Sequence, residues 1–84
     1  MTYQDALDYL RIAENAYNVQ AYSESAEIVE KLAYFAVDIE NGLSSQQRVE
    51  IIEAVKRAIG RFTFCPDEYI WEKIWGLIDL FDNK

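Results

Sequence analysis

Three glutamates on the second predicted helix have the spacing of a possible cation site. Glu24, Glu27 and Glu30 follow one another at intervals of three residues, so their carboxylates lie on neighbouring positions of one helix face. Carboxylate oxygens are the ligands that hard cations prefer. Carboxylate metal sites in helical bundles, however, pair a glutamate with a histidine three residues on, and this chain has no histidine. We therefore expect a solvated acidic face with Lys31 as its partner, and neither a metal nor a cofactor.

The side chains that most catalytic sites need are missing. Without histidine there is no Ser-His-Asp triad, no Cys-His pair and no imidazole acid or base. The glycines Gly42, Gly60 and Gly76 are scattered and form no phosphate-binding loop. Two carboxylates could still provide acid–base catalysis if burial raised the pKa of one of them, but the acids fall on polar helix faces or at helix starts. We expect a protein that is not an enzyme.

The single cysteine, Cys65, stands where the fourth predicted helix begins. A helix N-terminus lowers the pKa of a thiol and raises its reactivity. Asp67 and Glu68 follow closely, and their negative charges disfavour the thiolate. The sequence therefore favours a cysteine in the capping position over a reactive thiol, and one cysteine allows no intramolecular disulfide.

Large aromatic side chains among charged residues are the most informative feature of the sequence. Trp75 lies in the middle of the polar side of the fourth helix, Trp71 lies one turn earlier at its border, and Tyr34 has a similar place on the second helix. An aromatic anchor with a polar rim is typical of a protein-binding hot spot. The predicted partner-binding residues are Trp75, Trp71, Tyr34, Glu27, Glu30, Asp38, Glu72 and Asp79.

These aromatic side chains have a second interpretation. A helix in a four-helix domain can be covered on two sides, and large aromatic residues are mostly buried. Trp75 and Tyr34 could therefore fill a second helix contact. The sequence leaves both interpretations open.

The chain is strongly acidic, with 15 acidic and 8 basic residues and a formal net charge of −7 at pH 7. This balance opposes direct binding to nucleic acids and to anionic membranes, and it favours partners with a basic surface. The acidic excess is concentrated on the first, second and fourth predicted helices. Such a surface could imitate the charge of a nucleic acid towards a basic cleft.

Length and composition predict a single helical domain spanning residues 1–84. With 51% hydrophobic residues, the chain is too apolar for a disordered acidic tail. Its first residues lack the basic region of a signal peptide, and no apolar run approaches the ~18 residues of a membrane span. We expect a cytoplasmic protein.

Apolar residues recurring at helical intervals predict four helices. The first spans residues 2–17 and is capped by Thr2; the second spans residues 24–41 and is capped by Ser23. The third begins at a capping box from Ser44 to Gln47, and the fourth at residues 65–68. Short connections make successive helices antiparallel neighbours. The predicted fold class is all-α, with four antiparallel helices around one small core, arranged as a bundle or as two stacked αα-hairpins.

Each predicted helix has an apolar stripe that we expect to face this core. On the first helix, Tyr9, Ile12 and Ala16 broaden the stripe on one flank. On the second helix the stripe continues to Ile39. A second strip there, of small side chains, would let a neighbouring helix approach closely; it consists of Ala26, Ala33 and Val37.

One predicted hairpin, residues 9–37, resembles a tetratricopeptide repeat. Tyr9 stands at the aromatic position of the repeat, and Ile12-Ala13 stand where the repeat has Leu-Gly. Tyr22 stands at the aromatic position of the turn, and Ser25 replaces the small residue of the second helix. Leu32 and Val37 depart from the pattern, which has alanine and proline there. About 42 residues separate the starts of the first and third helices, against about 34 in the repeat. The resemblance leaves two arrangements open, stacked αα-hairpins and a closed bundle.

Together these features predict a non-catalytic acidic protein that binds another protein. The leading hypothesis is a small inhibitor of the phage anti-defence or toxin-immunity type, which occupies a basic, nucleic-acid-handling surface of its partner, by an analogy of composition. The alternative is a tetratricopeptide-like adaptor or a self-associating subunit, such as a homodimer. An enzyme that uses carboxylates alone is the third hypothesis.

Overall fold

A computed structural model describes residues 1–62 and 67–82, and four α-helices account for most of them. These helices are α1 (Tyr3–Asn18), α2 (Tyr22–Val37), α3 (Ser45–Arg61) and α4 (Glu68–Asp82). The predicted all-α, four-helix fold is confirmed. The predicted cysteine cap at Cys65 lies outside the described residues.

The helices pack as two stacked αα-hairpins. α2 packs against all three other helices, and α3 also packs against α1 and α4. Within the described residues, no Cα atom of α1 comes within 8 Å of one in α4, although a closed bundle would make these two helices neighbours. α1 and α3 therefore form one layer and α2 and α4 the other. In this stack α1 and α4 are the end helices, and each has an outer flank without a neighbouring helix.

The contact between α1 and α2 depends on small side chains. Ala6 and Ala13 are buried on α1, and Ser25 is buried on α2. The Ser25 hydroxyl donates a hydrogen bond to the carbonyl oxygen of Ala13 at 2.7 Å, so this buried polar group has a partner. The predicted strip of small residues on α2 is also buried, at Ala26 and Ala33.

Side chains at both ends of α1 hold it parallel to α3. Near the start of both helices, the Tyr3 hydroxyl donates a hydrogen bond to the Glu50 carboxylate. This hydrogen bond raises the pKa of Tyr3, because a phenolate there would face a carboxylate. At their other ends, the Tyr17 hydroxyl donates to the carbonyl oxygen of Arg61 at 2.6 Å. The Tyr17 ring also packs edge-to-face against Phe62, with a centroid distance of 5.1 Å.

The turn from α1 to α2 is tighter than the sequence predicted. The amide of Gln20 donates to the carbonyl of Tyr17 at 3.0 Å, and that of Ala21 to the carbonyl of Ala16 at 2.8 Å. These two bonds form a Schellman motif, with Gln20 in the left-handed conformation at φ 66°. α2 consequently begins at Tyr22, and the predicted cap, Ser23, lies in its first turn.

α2 also ends earlier than predicted, at Val37 instead of residue 41. The Asp38 carboxylate accepts a hydrogen bond from the amide of Glu40 at 3.0 Å, and the Asn41 side-chain amide donates to the carbonyl oxygen of Phe35. These local bonds compete with the helical hydrogen bonds. Ile39 was predicted to extend the core stripe, but it lies beyond the helix and is 77% exposed.

One cluster of buried apolar side chains joins the four helices. Its largest fully buried members are Phe62, Leu32, Ile51, Val29 and Val55. The predicted cap at Thr2 and the predicted capping box of Ser44 with Gln47 are both formed, and Asp5 completes a capping box with Thr2 as well. In the described part of the chain, no helix is both long enough and apolar enough to cross a membrane.

The close approach of α1 to α2 gives a first testable prediction. We expect Ala13→Leu to lower the free energy of unfolding by about 1–3 kcal/mol, because the larger side chain overpacks a site that is 1% exposed. Urea denaturation measures the change. The matched control, Asn15→Leu, adds a leucine to an exposed position of the same helix, and we expect a change within about 0.5 kcal/mol. Equal effects of the two substitutions would contradict this account of the interface.

Candidate protein-binding surface

The orientation of α4 is set by its first turn and by its buried face. The Asp67 carboxylate accepts hydrogen bonds from the amides of Tyr69 and Ile70 at 3.0 and 3.3 Å, which satisfies two free donors at the helix start. Ile70, Ile74 and Leu77 are buried in the core. With this face turned inward, the rotation of the helix fixes where its other side chains point.

Trp71 and Trp75 lie on the outer flank of α4. Their rings pack edge-to-face, with a centroid distance of 5.1 Å and an interplanar angle of 66°. Trp71 is 37% exposed and Trp75 44% exposed. The two indoles therefore stabilise each other's positions while part of each remains open to solvent.

Carboxylates surround this pair. Glu68 lies three residues before Trp71, Glu72 three residues before Trp75, and Asp79 four residues after Trp75, spacings that bring side chains together on a helix surface. All three acids are exposed. In the described structure, none of them has an ion pair or a side-chain hydrogen bond. We call these five residues, Glu68, Trp71, Glu72, Trp75 and Asp79, the tryptophan surface.

The opposite side of α4 carries an ion pair with α2. The Lys73 ammonium lies 2.8 Å from Oε2 of Glu30, and both side chains are about one-third exposed. The hydrogen bond to Glu30 raises the pKa of Lys73, burial opposes the rise, and electrostatic interactions with Glu30, Tyr69 and Glu27 add to it. Glu30 is therefore an acid with a structural role between two helices, and it is less solvated than the sequence suggested.

Tyr34 belongs to the same side of the molecule as this ion pair. It follows Glu30 by four residues on α2 and is 55% exposed. Glu27 and Asp38 are exposed nearby along the helix and at its C-terminal cap. We call Glu27, Glu30, Tyr34 and Asp38 the α2 surface.

The eight predicted partner-binding residues thus fall into two groups. Lys73, which faces α2, is two residues from both Trp71 and Trp75, and two residues correspond to about 200° around a helix. The tryptophan surface therefore lies across α4 from the α2 surface. Trp75, Trp71, Glu72 and Asp79 come together on one side, and Tyr34, Glu27, Glu30 and Asp38 on the other.

The glutamate ladder considered as a cation site does not converge on one point. Glu24 and Glu27 are exposed, whereas Glu30 pairs with Lys73. Within residues 1–62 and 67–82, no three histidine, cysteine or acidic side chains are grouped so that they could hold a metal ion.

A third exposed patch lies on the outer flank of α1. Tyr9 and Ile12, predicted to broaden the core stripe, are 40% and 50% exposed. Together with Met1, Asp5 and Asp8 they line an open depression. Apolar residues cover more of the circumference of α1 than a single buried face requires. This excess in the sequence could have indicated the exposed patch.

Compared with protein-family models, with curated proteins and with solved structures, the chain shows no match in any of the three.

The ion pair between α2 and α4 gives a second testable prediction. We expect Glu30→Gln to lower the free energy of unfolding by less than about 1 kcal/mol at pH 7, because both groups are partly solvated. The folded-state pKa of Lys73 is raised above its ordinary value of 10.5. The difference from the unsubstituted protein is therefore fully present below pH 10.5 and is lost as the pH rises through the folded-state pKa.

Urea denaturation of the two proteins between neutral and alkaline pH measures this difference. Glu53→Gln, which removes an exposed carboxylate from α3, is the matched control and should show no such loss. A Glu30→Gln effect that persists unchanged at alkaline pH would contradict the assignment of the ion pair.

Proposed function

We propose that this chain is a non-catalytic protein that binds another protein through the tryptophan surface. On this proposal it is a small acidic inhibitor, of the phage anti-defence or toxin-immunity type, and it occupies a basic, nucleic-acid-handling surface of its partner. The observation that carries the proposal is the edge-to-face pair of Trp71 and Trp75, partly exposed on an end helix.

The composition of the tryptophan surface supports this proposal. Tryptophan is enriched among residues that contribute most to binding, and a polar rim around it excludes water from the contact. Here Glu68, Glu72 and Asp79 provide that rim, and all three are negative. An acidic rim accelerates encounter with a basic partner and repels an acidic one, so it contributes specificity as well as rate.

The net charge supports the same class of partner. At −7, the chain is attracted to the positive clefts that bind phosphate backbones. The α2 surface adds Glu27 and Asp38, which lie outside the direct contact on this proposal and steer the approach. Their contribution is long-range and is screened by salt.

Substitution of Trp75 tests the proposal. The tagged protein is used to isolate a partner from extract of its source cells at low and high salt, and the affinity for the isolated partner is then measured. We expect to isolate a basic, nucleic-acid-handling protein, and we expect its binding to be weaker at high salt. Trp75→Ala should lower the affinity by more than about tenfold. Circular dichroism confirms that the variant is folded.

Tyr69→Ala is the matched control, since Tyr69 is a more exposed aromatic residue of α4, at 76%. It lies one turn before Lys73, on the side of the helix opposite the tryptophans. We expect Tyr69→Ala to retain most of the affinity. A loss below tenfold for a folded Trp75→Ala, or equal losses for both variants, would contradict the role of Trp75 as the anchor.

The stacked hairpins favour a second candidate function, a helical adaptor or a self-associating subunit. In such stacks the end helices are the positions at which a further copy would pack. Both ends here have exposed apolar side chains, Trp71 and Trp75 on α4 and Tyr9 and Ile12 on α1.

Sedimentation equilibrium separates the two candidate functions. We expect a monomer at low ionic strength, because end-to-end packing would bring acid-rimmed patches together. A stable dimer whose tryptophan fluorescence shifts to shorter wavelength with concentration would instead favour self-association through Trp71 and Trp75.

A further inference from the structure

The charge around the two tryptophans is uncompensated within α4. Lys73 is the one basic residue between residues 68 and 82, and its ammonium is held by Glu30 on the far side of the helix. Among residues 1–62 and 67–82, no basic side chain pairs with Glu68, Glu72 or Asp79. The outer flank of α4 thus combines open aromatic rings with carboxylates that have free acceptor oxygens.

We propose that the tryptophan surface binds an arginine side chain that projects from the partner, with the guanidinium stacked on the indole of Trp75. The inference rests on the proposed function and specifies the chemistry of the partner at this surface. The guanidinium N–H groups donate to the carboxylates of Glu72 and Asp79, which lie about one turn before and after Trp75.

Arginine fits this arrangement better than lysine does. A guanidinium is planar, so it stacks on an aromatic ring while its edge keeps several N–H donors free, and its fork matches the two oxygens of a carboxylate. An ammonium is a compact charge with three N–H donors, and it has neither a planar face to stack on a ring nor a fork that matches a carboxylate. A purely apolar side chain of the partner would leave the carboxylates of the tryptophan surface unpaired. Closing the contact would then remove these charges from water, which costs free energy.

A comparable arrangement, with a tyrosine ring and an amide oxygen, holds an arginine elsewhere in the protein. Arg61 lies over the Tyr17 ring, with 4.6 Å between its guanidinium carbon and the ring centroid. Its Nη2 atom donates to the side-chain oxygen of Asn18 at 2.6 Å. A ring and an oxygen acceptor on adjacent residues thus hold one guanidinium by its face and by its edge, as we propose for the tryptophan surface.

A pair of peptides tests the inference without the natural partner. An arginine-rich peptide and its lysine counterpart, equal in length and charge, are titrated into the protein at low salt by calorimetry. Tryptophan fluorescence reports on the site directly, because Trp71 and Trp75 are the two tryptophans of the chain. We expect the arginine peptide to bind about two- to fivefold more tightly and to change the fluorescence.

Three variants identify the groups responsible. Trp75→Leu keeps an apolar side chain but removes the ring, and it should abolish the preference for arginine while Trp71 still reports binding. Glu72→Gln combined with Asp79→Asn should weaken both peptides. Glu27→Gln removes one acidic charge from the α2 surface, whereas the double change removes two. We expect its effect on the binding free energy to be less than half that of the double change.

Equal affinities for the two peptides, or a preference that survives Trp75→Leu, would overturn the arginine inference. A Glu27→Gln effect that is half or more of the effect of the double change would also overturn it, because binding would then follow net charge alone. These outcomes are distinct from a failure of the proposed function. If a natural partner binds through Trp75 but the peptides show no preference for arginine, the proposed function stands and only the arginine inference fails.

Discussion

The central position of α2 is the constraint on which the rest of this structure depends. A helix that packs against three others needs apolar or small side chains around most of its circumference, and α2 meets this need with Ser25, Ala26, Val29, Leu32, Ala33 and Ala36, all buried. Small side chains let α1 approach closely, and the hydroxyl of Ser25 finds its acceptor in the backbone of α1. Because α2 and α3 lie between them, α1 and α4 are kept apart and become the two ends of a stack.

The exposed aromatic residues are a consequence of that arrangement. In a closed bundle α1 and α4 would cover each other, and their outer apolar side chains would be buried. In a stack each end helix has one covered side and one open flank, and here the open flank of α4 carries Trp71 and Trp75. With α4 in this rotation, Lys73, the one basic residue of the helix, pairs with Glu30 on α2, and the acids are left with the indoles.

Periodicity and capping motifs predicted most of the fold, but not the hydrogen bonds that end α1 and α2. The capping boxes at Thr2 and Ser44 are local in sequence and could be read directly. Gln20 occupies a left-handed position that glycine usually marks, so the Schellman turn had no recognisable residue. Asn41 ends α2 through a bond to Phe35, six residues away, and the apolar pattern up to Ile39 hid that bond. The sequence could not predict which residues of different helices share a surface. That depends on how the helices pack against one another, and a helical wheel describes one helix at a time.

On the proposed function, the carboxylates of α4 favour a cationic partner, in addition to the attraction that its indole rings have for a cation. Glu68 and Glu72 are like charges four residues apart, a spacing that destabilises a helix by about 0.2–0.5 kcal/mol. Within α4, only Lys73 could relieve this repulsion, and it is engaged with Glu30. A guanidinium placed beside Glu72 would remove part of the repulsion and cover indole surface at the same time. Binding at the tryptophan surface would therefore also stabilise α4, so affinity for a cation and helix stability are linked through the same carboxylates.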